Sequence, residues 1–386
     1  MAREYIENDV NRHKRKRNTK CYILGTITFC ILLVWWFAGK RTGLKLSEDS
    51  LGLVNEKMSD LAEYSFSELA WWSEAYKGGF PKDKVDQASW WRKQSFTEVI
   101  SGVAPVCKKG GDNEVVVALL DTGFSIECVS KEYLLSINSE ELVKKNKEAG
   151  YRISDDFIGI SVRKDYSSCV DRSFLNLHGT LILNLLVGEK EDYKGLLCGQ
   201  KVKVLLVRVL DDEGKGTTDH LIEAIKCAEQ NGADICSASL TFHYNDKELL
   251  AAMKESKMLF VVPAGNEGWE LGEAVSYPTM FSLENTISVA ALRIDGNLSD
   301  KSNYSSAYVD IAAPGSDIVV LNGEGEMLLM SGTSLAVPFV VWAAVMIKGS
   351  NKDASAKEMK ELIIRNATKT EKLQPYVRSG GYVTLK

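Results

Sequence analysis

From about residue 113 onward, short runs that are apolar throughout alternate with longer amphipathic ones. This alternation restricts the fold more than any other feature of the chain. Strands are expected at 115–120, 203–209, 233–239, 258–263 and 286–291, and helices at 178–187, 218–230, 246–256, 334–347 and 355–366. A strand with no polar alternation is buried on both faces, as in a parallel sheet whose crossovers are helices. The spacing therefore predicts an α/β, three-layer fold with a mainly parallel sheet flanked by helices. Thr217-Thr218-Asp219 supplies a start signal for the helix 218–230, and Gly232 a stop signal. In such sheets ligands bind outside the carboxyl ends of the strands, which is where Asp121 and Asn266 are expected.

Four segments concentrate reactive side chains. Val115 to Leu120 runs into Asp121-Thr122-Gly123, a carboxylate on a glycine turn. His178-Gly179-Thr180 opens the apolar run Leu181–Val187. Phe260-Val261-Val262-Pro263 leads into Ala264-Gly265-Asn266-Glu267-Gly268. Ser331-Gly332-Thr333-Ser334-Leu335-Ala336-Val337-Pro338 precedes an apolar stretch reaching Ile347. Gly332 lets the backbone approach a bound substrate. Ser334 is expected at a helix N-terminus, where unpaired N–H groups and the macrodipole stabilise an alkoxide or oxyanion. A serine hydroxyl needs a base, and neutral imidazole suits that task near pH 7. Singly, each residue has an ordinary explanation: Asp121 a turn, His178 a half-buried histidine, Asn266 a loop residue, Ser334 a cap. Jointly they follow one another at separations of 57, 88 and 68 residues, and His13, His220 and His243 have no comparable setting.

In their order, DTG, HGT, AGNEG and SGTSxAxP resemble the subtilases, the subtilisin-like serine peptidases, over roughly residues 110–385. The resemblance implies a nucleophilic Ser334, His178 as its base, Asp121 orienting the imidazole, and Asn266 with the Ser334 N–H as oxyanion hole. The expected activity is serine endopeptidase hydrolysis of a polypeptide substrate. The substrate-facing strand of the family usually reads Ser-Leu-Gly-Gly, and here it is Ser239-Leu240-Thr241-Phe242. A bulky Phe242 is expected to narrow the specificity pocket and restrict cleavage to small residues before the scissile bond. The opposite rail keeps Gly214 and Gly216 around Lys215, and Ala264-Gly265 completes the substrate-binding set. Members of the family often bind calcium, but no acidic loop here matches a site, and no cofactor is required. Two rivals stay open: a narrow processing peptidase for one co-expressed peptide, and a non-cleaving subtilase-fold binding protein.

The net charge of −5 over 386 residues argues against a nucleic-acid partner. The amino-terminal region is distinct. Arg12, Lys14, Arg15, Lys16, Arg17 and Lys20 precede nineteen uncharged residues, Cys21–Gly39, with Trp35, Trp36 and Phe37 at the far end. As a helix these nineteen residues span roughly 28 Å, about a bilayer's hydrocarbon core. The reading is a basic cytoplasmic tail (1–20), a transmembrane signal anchor in the lipid bilayer (21–39), a juxtamembrane or pro-segment (40–105) and a peptidase domain (106–386). The excess of Lys and Arg before the span places the catalytic domain outside the cytoplasm of a single-pass cell-membrane protein. A cleaved signal peptide is the less favoured alternative, because Trp36 sits where a small residue is needed before cleavage. Trp71-Trp72 and Trp90-Trp91 make 40–105 either a docking face or a stalk. Six cysteines lie beyond the span (Cys107, Cys128, Cys169, Cys198, Cys227 and Cys236), enough for up to three disulfides, with Cys227 and Cys236 expected as buried thiols.

Overall fold

The structure is a computed structural model that describes residues 111–383 other than 167, 172–177, 192 and 213. The expected tail, membrane span and juxtamembrane segment lie outside these residues, as does Cys107. Within them the strands are β1 (Val115–Asp121), β2 (Arg152–Ile153), β3 (Gly159–Ser161), β4 (Glu189–Lys190), β5 (Tyr193–Lys194), β6 (Val202–Arg208), β7 (Ile235–Ala238), β8 (Leu259–Pro263), β9 (Thr286–Leu292), β10 (Ile311–Pro314), β11 (Ile318–Leu321), β12 (Met327–Met330), β13 (Thr368–Lys369) and β14 (Gly381–Tyr382). The helices are α1 (Glu140–Glu148), α2 (His178–Val187), α3 (Thr218–Gln230), α4 (Lys247–Glu255), α5 (Thr333–Ser350) and α6 (Ala356–Arg365).

Ten of the strands form one sheet in the order β13-β14-β10-β9-β8-β7-β1-β6-β3-β2. From β14 to β3 every neighbouring pair is parallel, and only the outer pairs β13–β14 and β2–β3 are antiparallel. The inner strands are buried along nearly their whole length, which explains their unbroken apolar sequences. Side chains alternate between two cores. Val117 and Leu119 of β1 join the core under α2, α5 and α6, and Ala118 and Leu120 join the one under α3 and α4.

Local chemistry sets the helix ends. Thr217 accepts a hydrogen bond from the His220 N–H and starts α3, and Gly232 follows it at φ +81°. Ser355 and Glu358 form a reciprocal capping box on α6. The helix α5 is apolar and long enough to cross a membrane, but 72% of it is buried in this core. Cys128, Cys169, Cys227 and Cys236 are free buried thiols, so the three-bridge arrangement their number allowed is not formed. Burial pushes the Cys169, Cys227 and Cys236 thiols well above their ordinary range.

Candidate active site

The predicted residues gather at the carboxyl ends of β1, β7 and β8, beside the amino-terminal ends of α2 and α5. Asp121 is the last residue of β1 and fully buried. His178 is the first residue of α2, and its Nδ1 lies 2.9 Å from both carboxylate oxygens of Asp121. The carboxylate also accepts from the Thr122 N–H at 2.8 Å. Two threonines fasten the Asp121 turn to the helix. Thr122 Oγ1 accepts from the Gly179 N–H at 2.9 Å, and Thr180 Oγ1 accepts from the Ser125 N–H at 2.9 Å. Gly179 is required by this approach, since a Cβ there would sit 2.9 Å from the Phe124 ring and 3.0 Å from the Gly123 carbonyl.

The imidazole is 41% exposed on one side and holds its buried carboxylate on the other. Burial by itself pulls its pKa down. The Asp121 charge and hydrogen bond outweigh that, so the net direction is up from 6.5.

Ser334 is the second residue of α5, as expected. Four residues later Pro338 brings no N–H, so the Ser334 carbonyl lacks its ordinary i+4 donor. The Ser239 hydroxyl takes that place, donating to it at 3.2 Å, while Ser334 Oγ makes a long 3.5 Å contact with the Ser239 carbonyl. The sheet brings this pair beside the carboxylate. Leu120 registers with Ala238, so the next residues, Asp121 and Ser239, stand level at the ends of adjacent strands, roughly 4.8 Å apart by strand spacing.

Asn266 joins the same group through Thr333. Its Oδ1 accepts from the Thr333 N–H at 2.7 Å and from Thr333 Oγ1 at 3.0 Å, and Thr333 Oγ1 accepts from the Gly265 N–H at 3.3 Å. With the oxygen occupied, the amide nitrogen is the end of Asn266 left for a ligand. A Cβ on Gly332 would meet Asn266 at 3.6 Å or more, an ordinary contact, so packing of the free protein does not demand that glycine.

The remaining residues expected to bind substrate lie on flanking segments. Ala264 is buried at the end of β8, and Leu240, Thr241 and Phe242 are half-buried beyond β7. Phe242 exchanges backbone hydrogen bonds with Tyr277 at 2.9 and 2.8 Å, and its ring lies 5.3, 6.1 and 6.4 Å from those of Tyr244, Tyr277 and Phe281. Gly214 and Gly216 are exposed in a turn that Asp211 closes on Lys215. Among the described residues no three His, Cys, Asp or Glu side chains converge to hold a metal ion.

Thr122, Thr180 and Thr333 stand inside the motifs, but nothing in the motifs announces these contacts, and no local pattern marks Asn303, which underlies the Asn266 loop.

Residues 112–381 match the profile of the subtilase family. The chain belongs to the subtilases. It is 32% identical over 193 residues to the cell wall-associated protease of Bacillus subtilis (strain 168), covering 49% of this chain and 21% of that protein. It is 30% identical over 268 residues to the intracellular serine protease of Paenibacillus polymyxa, covering 67% of this chain and 75% of the relative. The fold is also that of the protease domain of PatA, with a TM-score of 0.53 at 21% identity over 71% of this chain and 93% of that one. The chain spans about a fifth of the first of these proteases, three quarters of the second and 93% of the PatA domain.

Proposed function

We propose that this subtilase hydrolyses peptide bonds with Ser334 as nucleophile, His178 as general base and acid, Asp121 as the group that orients and stabilises the imidazolium, and Asn266 as an oxyanion donor. The observation that carries the reading is the 2.9 Å Asp121–His178 bond standing level with the Ser239–Ser334 pair across β1 and β7. Asp121 occupies Nδ1 and thereby leaves Nε2 to take the serine proton. The Ser334 hydroxyl rests on a long, weak contact with Ser239, so little is lost when it turns toward the imidazole. Attack on the scissile carbonyl forms the acyl bond to Ser334 Oγ, and the proton on His178 passes to the leaving amine. Water then attacks the acyl carbonyl and gives a proton to His178, which passes it to Ser334 Oγ as the acyl–oxygen bond breaks, freeing the acid product and restoring the serine. The Asn266 amide nitrogen and the Ser334 N–H at the head of α5 face the developing negative charge.

Further parts of the reading rest on the sequence. The peptidase domain, 106–386, is tethered by the span 21–39 and works outside the cytoplasm; the support is the nineteen-residue uncharged run with its basic flank. Phe242 restricts the pocket to small residues before the scissile bond, because its backbone bridge to Tyr277 and its ring contacts fix that wall.

A fluorophosphonate probe tests the central claim. The wild-type chain is expected to be labelled on Ser334 and to cleave peptides. Ser334→Ala is expected to lose labelling and all but a residue of turnover, a fall of about 10⁶-fold if it follows subtilisin. Equal labelling of the two proteins would end the assignment to Ser334, and a wild-type chain that neither takes up the probe nor cleaves peptides would favour a non-cleaving binding protein.

A further inference from the structure

The loop Ala264–Trp269 carries Asn266 and is stabilised largely by one side chain from elsewhere in the sequence. Asn303 is fully buried. Its own backbone N–H donates to the Gly265 carbonyl at 2.9 Å. Its side-chain oxygen accepts from the N–H groups of Glu267 at 3.2 Å and Trp269 at 2.8 Å. Its side-chain nitrogen donates to the Ala264 carbonyl at 3.2 Å and to the Glu267 carboxylate at 2.6 Å. Two backbone donors on one side and two oxygen acceptors on the other fix which end of the amide is which.

The contact is close enough to dictate a neighbour. Gly265 has φ +111°, and a Cβ there would lie 2.2 Å from Asn303 Nδ2. Asn303 is itself tied to the sheet: the Ser302 hydroxyl donates to the Asn303 carbonyl at 3.0 Å and accepts from the Ala291 N–H of β9 at 3.0 Å. Asn266 is thus held from two sides. Thr333 grips its side-chain oxygen, and Asn303 binds backbone groups of the residues immediately before and after it.

We propose that Asn303 is a positioning residue for the oxyanion donor, transmitting the rigidity of β9 to the Asn266 amide. The proposal rests on the reading of Asn266 given above. An oxyanion donor earns its effect by being in place before charge develops. A displacement of about 1 Å at such a group can cost ~10²-fold. Loss of Asn303 would release all four side-chain bonds at once and let the loop carry Asn266 off its mark. With Ser239–Phe242 and Gly214–Gly216 expected to hold the substrate as well as Ala264 and Gly265, the effect should fall more on kcat than on KM.

The test is a double-mutant cycle on the full chain with a chromogenic peptide. Asn303→Ala should lower kcat by about 10- to 100-fold with KM changed less than about twofold. In the Asn266→Ala background the same substitution should change kcat by less than about twofold, because the group it positions is already gone. A full, multiplicative loss in that background would overturn the proposal, since a loop that merely stabilises the protein would give it. So would unchanged kcat in the single variant. Unimpaired turnover of Asn266→Ala would instead remove the oxyanion reading beneath it, which is distinguishable because probe labelling of Ser334 would persist.

Should Asn303→Ala not fold, Asn303→Asp keeps the shape and both accepted bonds but sets a carboxylate against Glu267. It should lower kcat, and Glu267→Gln in that background should restore part of it by returning a donor. No restoration would count against the proposal.

Discussion

Among the described residues two buried carboxylates, Asp310 and Asp121, have basic partners, and they are built to opposite ends. Asp310, immediately before β10 and beside the amino-terminal half of β9, accepts on one oxygen from the Ser288 N–H, the Ser288 hydroxyl and Lys360 at 3.0–3.1 Å, and on the other from Arg378 at 2.8 Å. Lys360 also donates to the Leu283 and Thr286 carbonyls. Its pKa is drawn down by burial, against the opposing pull of Asp310. Asp121 has the Thr122 N–H and one imidazole. Lysine and arginine are cations whose ordinary pKa values lie far above neutrality, whereas imidazole changes charge close to it. The first carboxylate is saturated by permanent charge and holds structure together. The second is left with a partner whose charge can come and go, the property that the role proposed for Asp121 and His178 requires.

Exchanging each carboxylate for its amide breaks the comparison most sharply. Asp121→Asn should lower kcat by about 10⁴-fold while the protein stays folded, because the imidazole loses its correct tautomer. Circular dichroism and a peptide assay on the same sample would show it, and a rate within tenfold of wild type would refute the role given to Asp121. Asp310→Asn should act in the other direction. It strands Lys360 in a site where its side chain is 9% exposed, and removing one partner of a buried pair costs about 3–5 kcal/mol. Turnover per folded molecule should stay near wild type while the chemical-denaturation midpoint falls. A large loss of kcat without loss of stability would mean the cluster reaches the site.

The smaller effect is in pH. Because the folded pKa of His178 is raised, the acid limb of kcat/KM should lie above pH 6.5, with activity gained as the imidazole loses its proton. Stability runs the opposite way. The Asp121–His178 contribution is complete below the unfolded pKa and disappears as pH rises through the folded one. A rate profile with its acid limb below 6.5 would contradict the balance in which Asp121 outweighs burial.

Much of this was legible because the informative residues are local. Continuous apolar runs set β1, β6, β7, β8 and β9 to within two residues at each end, and Thr217 and Gly232 set α3. The motifs placed Asp121, His178, Asn266 and Ser334 on strand ends and helix starts. What escaped has equally specific causes. In α1 the one buried residue is polar: Asn146, paired with Asn231 at 2.9 Å, so no apolar stripe announces the helix. The outer strands β2, β3, β13 and β14 have two or three residues each, too few for any period to show. Asn303 sits in Ser302-Asn303-Tyr304, a stretch whose partners lie 34–39 residues earlier, and nothing local marks such a contact.

Pro338 has a consequence beyond its own turn. Helix ends fray, and a side chain on the second residue of a helix would ordinarily share that looseness. Here the missing hydrogen on Pro338 makes the Ser334 carbonyl a spare attachment point, and the end of β7 takes hold of it through Ser239. The backbone of Ser334 is thereby tied to the residue that follows β7, and loosening at the head of α5 need not carry it away.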